Sequence, residues 1–323
     1  MSGITLLGAA GAVGKSIGAA LDKAGTSYRV VGRDGAALSK AFGGSRLAEI
    51  VTWNPDDPAS ARAALRGSDT IVYLIGVAYD QFQLHPQLMR KALDAAIAEG
   101  VPKMLLIGTV YPYGRPQTTP VTESHAREPH TFKGKMRKQQ EDLLLEADAQ
   151  GKIRGSVLRL PDFYGPGVEK SYLDSLFQAA ATGGTANLLS PIDKPHEFVF
   201  IPDVGPVVTA LIAQEGAWGH VWHFAGAGAA TQKDLAERVF RMAGQKVRIR
   251  EAGKLVLRVM GLFNPLMREL VEMHYLLTDP VLLDDSALQK LLGPLHKTPY
   301  DEGLRISLEA ARAQHLGRNN GLK

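Results

Sequence analysis

The chain has 323 residues, enough for one large domain or two closely joined ones, with 45% hydrophobic and 22% charged residues. It contains no cysteine, which excludes disulfides and thiol catalysis and suits a reducing, cytoplasmic compartment. The net charge is only +4 and Lys and Arg are spread along the chain, so nucleic acid is not expected as a partner.

The apolar N-terminus has no basic leader and is interrupted by glycines, so it reads as a strand and turn, not a signal peptide. Six short apolar runs follow one another: "ITLLG" (4–8), "YRVVG" (28–32), "AEIVT" (48–52), "TIVYLIG" (70–76), "KMLLIGT" (103–109) and "GSVLRL" (155–160). They are nearly continuously hydrophobic, as strands covered on both faces must be. Between them lie "GKSIGAALDKAG", "PASARAALRG" and "QLMRKALDAAIAEG", which have helical spacing and a terminal glycine. That alternation predicts an α/β fold, a Rossmann-type doubly wound parallel sheet.

Beyond residue 165 the pattern loosens into Pro-Gly turns, an isolated strand "EFVFI" (197–201) and a more helical final third. The expected division is a dinucleotide-binding domain over 1–165 and a smaller, mostly helical substrate lobe over 166–323. The strand near 197–201 is expected to join the sheet. "KLVLRVMGLFNPLMREL" (254–270) is interrupted by Arg258, Asn264, Pro265 and Arg268, so it reads as an amphipathic helix, a turn and a second helix. No run reaches the ~20 apolar residues of a membrane span, and a membrane is not expected as a partner.

The turn "GAAGAVG" puts Gly8, Gly11 and Gly14 between the first strand and the first helix, where backbone N–H groups can approach a pyrophosphate. The same letters hold a rival. "AAGAVGKS" (9–16) is close to a phosphate-binding P-loop, with Lys15 and Ser16 offered to phosphate and magnesium. A P-loop ATPase also needs an apolar strand ending in Asp, and none of the six ends that way. The second strand instead ends "VVGRD", which places Arg33 for the 2′-phosphate of NADP(H). In the alternative, Arg33 is solvated and Asp34 binds the ribose of NAD(H).

These residues resemble the extended and atypical short-chain dehydrogenase/reductase superfamily, the NAD-dependent epimerase/dehydratase-like proteins. The spacing Gly8–Gly11–Gly14 is that family's, and the resemblance makes Ala12 and Val13 part of the pyrophosphate turn. It places Asn54 and Asp57 of "WNPDD" beside adenine, and Leu74, Ile75 and Gly76 along the cofactor ribose. "LRLPDFYGPG" (158–167) is similar to the loop that lies against the nicotinamide, with Pro161 and Phe163 in contact, and "HEFVFIPDV" (196–204) is similar to a later strand that ends in Asp203.

The resemblance breaks at the catalytic motif. Thr109 falls on the family's Ser/Thr at the end of the fifth strand. Aligning Glu141 with the family's Glu sets Arg137 at the Lys and Lys133 at the Tyr of Tyr-x-x-x-Lys, so the catalytic tyrosine is missing. Lys133 can act as acid or base only if burial or neighbouring cations lower its pKa by about 3 units. Tyr111, Tyr79, His85 and Tyr164 are the other candidate acids, and Arg137 is expected on the nicotinamide ribose. His196 stands where nucleotide-sugar members carry Arg, which points away from such a substrate. The expected function is an NADP(H)-dependent oxidoreductase, or an epimerase/dehydratase-like enzyme, acting on a small carbonyl or hydroxyl compound. The alternative is a non-catalytic NADP(H)-binding redox sensor resembling NmrA-like members; the full-sized C-terminal lobe favours the enzyme. A homodimer is compatible with either. No spacing of His, Asp and Glu suggests a metal site, and no Gly-x-Ser-x-Gly elbow suggests a hydrolase.

Overall fold

A computed structural model of the chain describes residues 3–168 and 171–320. The six apolar runs form β1 (Ile4–Leu7), β2 (Tyr28–Gly32), β3 (Ala48–Thr52), β4 (Thr70–Tyr73), β5 (Lys103–Thr109) and β6 (Arg154–Leu160). Between them run α1 (Ala12–Lys23), α2 (Gly35–Phe42), α3 (Pro58–Leu65), α4 (Leu84–Ala98) and α5 (Phe132–Ala149). All six strands are parallel, in the order β3-β2-β1-β4-β5-β6.

Neighbouring residues on a strand point to opposite faces, and both faces are covered. Leu6, Val30 and Val72 enter a core with Ile17, Leu21, Val204 and Val208, while Leu7, Val31 and Ile71 enter another with Met89, Leu93 and Leu144. That is why the strands read as continuous apolar runs.

The second half forms β7 (Asp162–Tyr164), α6 (Asp174–Thr182), β8 (Ala186–Leu189), β9 (Pro195–Phe200), α7 (Ile201–Ile212) and β10 (Val221–His223). Then come β11 (Ala229–Thr231), α8 (Gln232–Met242), β12 (Ile249–Ala252), α9 (Lys254–Met260), α10 (Pro265–Met273), α11 (Tyr275–Thr278), α12 (Ser286–Leu292) and α13 (Tyr300–Asn320). The helix–turn–helix expected over 254–270 is α9 and α10.

The strand expected near 197–201 does not join the large sheet. It is β9, and it lies between β11 and β7 in a separate three-stranded sheet. Pro161 has no N–H to donate and ends β6, so the chain leaves the large sheet there and β7 pairs with β9. The edge of β6 is taken by β10, with Val157 N donating to His220 O (3.1 Å) and Phe224 N to Arg159 O (3.1 Å). Residues 201–223 therefore return to the large sheet, and the second half is not a continuous separate lobe.

Helix α7 also packs tightly on α1. The Ser16 hydroxyl donates to Ile201 O (2.7 Å) and accepts from Gly205 N (2.9 Å), and a Cβ on Gly205 would overlap the Ser16 carbonyl. This disposes of the P-loop rival, because the hydroxyl it would give to magnesium is committed to a helix contact. Ser16→Ala removes the hydroxyl from both of its contacts with α7, and urea unfolding should show a loss of about 0.5–1.5 kcal/mol. Gly205→Val should cost more, through overpacking; a change below ~0.5 kcal/mol in both would contradict this contact.

Candidate active site

The strand order reverses between β1 and β4, and in such sheets ligands bind in the crevice beyond the carboxyl ends of the strands at that point. The three glycines of the β1–α1 turn do different things there. Gly8 has φ +89°, and a Cβ on it would press on the backbone of Ile75 at 2.7 Å. A Cβ on Gly14 would overlap the Ala9 carbonyl. Gly11 is exposed and a Cβ on it would meet nothing within 4 Å.

Gly11 is also the N-cap of α1 and makes no side-chain cap bond, which leaves the first-turn N–H groups of Ala12, Val13 and Gly14 for an anion. Leu74 N donates to Leu7 O (2.8 Å), drawing the segment after β4 against this turn. Gly76 is exposed with open space around it. Ala12, Val13, Leu74 and Phe163 lie partly buried on one core cluster, and Pro161, two residues before Phe163, is buried. An open glycine, uncapped N–H groups and an apolar rim fit a dinucleotide whose pyrophosphate lies over Gly11.

The expected adenosine end is more heavily committed to the fold. Asp34 caps α2 by accepting from Ala37 N (3.0 Å), and Asp57 caps α3 by accepting from Ala59 N (2.9 Å). Asn54 Oδ1 accepts from Asp56 N (3.0 Å). Arg33 is exposed. A second cation, Lys91 of α4, pairs with Asp56; its hydrogen bond and charge, with a smaller effect from Arg33, hold the Asp56 carboxyl below the usual range. Nothing local in the sequence pointed to Lys91.

At the other end, α5 is set by three contacts. Thr131 accepts from Gly134 N (3.1 Å) at its N-cap. Gly134 sits close to the Tyr111 carbonyl, where a Cβ would come within 2.8 Å. Lower on the helix, Glu141 holds the buried Arg159 of β6 through two hydrogen bonds, with Nε–Oε1 at 3.0 Å and NH2–Oε2 at 2.5 Å. Arg159 also bonds the Tyr113 hydroxyl, which donates in turn to His223 Nε2 (2.5 Å).

This packing buries the unusual head of the helix. Lys133 is 1% exposed, and its ammonium donates to Glu269 and to Glu272 (2.8 Å), both on α10. Its own backbone N–H donates to Glu272 Oε1 (2.9 Å), and its Nζ lies 5.5 Å from the centre of the Phe82 ring. Burial, one of the two conditions for an acid–base role, is met, but its charged neighbours are two carboxylates and not cations. Arg137 donates to Ile107 O (3.3 Å) and to His85 Nδ1 (3.2 Å).

Burial and the charge of Arg137 push the His85 pKa down to about 2. His85 is thus a neutral acceptor that positions Arg137, and not a proton donor. Tyr164 is buried in a core of the second half, against Phe200 and Tyr300, and stands apart from these residues.

What the fold does bring together is a pair of phenols. Tyr79 follows β4, Tyr111 follows β5, and their hydroxyls are 3.1 Å apart. Tyr111 N donates to Thr109 Oγ1 (3.3 Å). Burial raises both phenol pKa values, that of Tyr111 well above 10. Tyr172 and Asp162 lie near enough to act electrostatically on Tyr111, and Tyr275 on Tyr172. His196 Nε2 donates to Asp162 Oδ2 (2.7 Å), and the His196 ring is buried. Tyr172, Tyr275, Asp162, Glu269 and Glu272 escaped the sequence reading, since each meets the site only through the tertiary fold.

Residues 4–224 match the profile of the family described as NAD dependent epimerase/dehydratase. A dTDP-6-deoxy-L-talose 4-dehydrogenase (NAD(P)(+)) from Kitasatospora kifunensis is 29% identical over 266 residues, covering 77% of this chain and 81% of that one. Among solved structures, a dTDP-glucose 4,6-dehydratase from Streptomyces venezuelae with NAD bound is similar at a TM-score of 0.80 and 18% identity, over 97% of this chain and 98% of that one. A UDP-glucuronic acid 4-epimerase from Bacillus cereus in complex with NAD gives a TM-score of 0.80 at 17% identity, over 97% and 99%. At those identities the solved structures establish the fold.

The glycines separate binding from folding. Gly11→Val should fold with near wild-type stability yet lose dinucleotide binding measured by calorimetry, because its side chain fills only the open space. Gly14→Val should destabilise the protein, because its side chain meets the Ala9 carbonyl. Equal stability losses in the two variants would contradict the assignment.

Proposed function

Because the chain belongs to the NAD dependent epimerase/dehydratase family, an enzyme family of the short-chain dehydrogenase/reductase superfamily, we propose that it is an NADP(H)-dependent oxidoreductase in which Tyr111 and Tyr79 replace the missing tyrosine. The observation that carries this reading is the hydroxyl pair at 3.1 Å, beside Thr109 and at the carboxyl edge of the same sheet as the open glycine turn. When bound, the nicotinamide supplies or accepts the hydride.

The chain's own residues do the rest. Gly8, Gly11, Ala12, Val13 and Gly14 receive the pyrophosphate, and Leu74, Ile75, Gly76, Pro161 and Phe163 line the crevice. Arg33 takes the 2′-phosphate, while Asn54 and Asp57 border the adenine. Arg137, fixed by His85 and Ile107 O, faces the ribose. Thr109 orients the substrate oxygen. Tyr111 holds its proton at neutral pH, since burial raises its pKa, and so serves as a donor to an oxygen that is gaining charge. Its hydrogen bond to Tyr79 gives the proton a route of replacement. This arrangement favours carbonyl reduction over alcohol oxidation. Lys133 is a structural ammonium in this reading and moves no proton.

The substrate is a small carbonyl compound without a nucleotide carrier, because His196 stands where nucleotide-sugar members carry Arg and its ring is turned onto Asp162. The name of the Kitasatospora relative favours a dTDP-sugar, so such sugars belong in the same screen. The second reading, a dinucleotide-binding sensor, draws on the clamped Lys133 in the family's tyrosine position. The absence of cysteine is in keeping with work in a reducing, cytoplasmic setting.

The test follows NADPH absorbance over aldehydes, ketones, enones and dTDP-sugars. NADPH should bind more tightly than NADH by about 1.5–3 kcal/mol, and Arg33→Ala should remove most of that preference. Tyr111→Phe should lower kcat by about 10²–10⁴-fold with cofactor affinity nearly unchanged. Equal affinities for the two cofactors would sink the Arg33 role. Tight NADPH binding without turnover on any substrate would favour the sensor.

A further inference from the structure

Helix α9 and the turn after it show solvent a run of large apolar side chains. Leu255 is 73% exposed, Leu262 77% and Phe263 87%, and Val256, Val259 and Met260 are each close to half exposed, while Leu257 anchors the helix in the protein. A contiguous apolar patch of this kind marks a contact surface. It is also cationic. Lys254, Arg258 and Arg268 are exposed, and the sequence has no acidic residue from 254 to 268. The next two acids, Glu269 and Glu272, are turned inward onto Lys133, although Glu269 Oε1 also lies 3.7 Å from Arg268 Nε.

We propose that α9 and residues 261–264 form a docking surface for an anionic lipid membrane. Leu255, Val259, Leu262 and Phe263 enter the boundary between headgroups and acyl chains, and Lys254, Arg258 and Arg268 meet lipid phosphates. Interfacial binding of this sort combines buried apolar area with attraction to anionic lipid. It needs no membrane span, and no helix among the described residues is long and apolar enough to be one. The expectation that a membrane is no partner rested on the lack of a span alone, which leaves surface contact open. A second copy of the chain fits this face less well, because a two-fold contact apposes two patches of the same positive charge. The proposal stands apart from the catalytic reading, since it uses none of the site residues.

The test is co-sedimentation of the full chain with vesicles of mixed phosphatidylglycerol and phosphatidylcholine, set against phosphatidylcholine alone, with mass measured by light scattering. The protein should partition onto the anionic vesicles at least about tenfold more strongly, and added salt should weaken binding. Leu262→Glu with Phe263→Glu should reduce binding by about tenfold or more, and Arg258→Gln by less. These side chains are exposed, so the melting temperature should not move. Absence of binding to anionic vesicles, or undiminished binding by the double variant, would overturn the proposal. A wild-type oligomer that the double variant splits, with no vesicle binding, would also overturn it and identify the patch as a contact between copies.

Discussion

One buried ammonium organises the site. Lys133 stands at the first turn of α5 and is tied to two carboxylates on α10, more than a hundred residues away. Losing one partner of a buried pair typically costs about 3–5 kcal/mol, because the other charges stay desolvated. The clamp therefore joins the late helices to the head of α5. Further along the same helix, the buried Glu141–Arg159 pair fixes its register against the sheet. Between these two anchors Arg137 has little freedom, and it is held by a strand carbonyl and a neutral histidine.

In the proposed function the proton chemistry comes from elsewhere. The loops after β4 and β5 end at the same edge of the sheet, because their strands are parallel neighbours, and they bring Tyr79 and Tyr111 together. No cation is required to lower the phenol pKa if the phenol is needed only as a donor. The design is consistent with reduction of a carbonyl, and with a substrate that needs no diphosphate contact from His196.

The fold was legible where its causes are local. Continuous apolar runs gave the six parallel strands, and helical spacing with terminal glycines gave most of the helices between them. The glycine turn was legible because its spacing is local: Gly8 and Gly14 answer to close neighbours, and Gly11 faces open space. The sheet edge was not, because "EFVFI" and "VWH" are both short apolar runs, and only the chain break at Pro161 decides which of them reaches β6. His85 was one of the candidate acids, but its contact is with Arg137, which reaches it across 52 residues. The resemblance sets Lys133 at the tyrosine position, and the structure buries it there. Its partners could not be read, since Glu269 and Glu272 sit in a stretch whose pattern says only that it is helical.

If Lys133 is structural and the phenol pair moves the proton, a crystal structure of the protein with NADPH bound should show it. Lys133 should remain on Glu269 and Glu272, and the hydroxyl of Tyr111 or Tyr79 should be the donor within hydrogen-bond reach, ~3 Å, of a carbonyl placed over the nicotinamide. Lys133 released from its carboxylates and facing the nicotinamide, with the phenol pair remote from it, would contradict the claim.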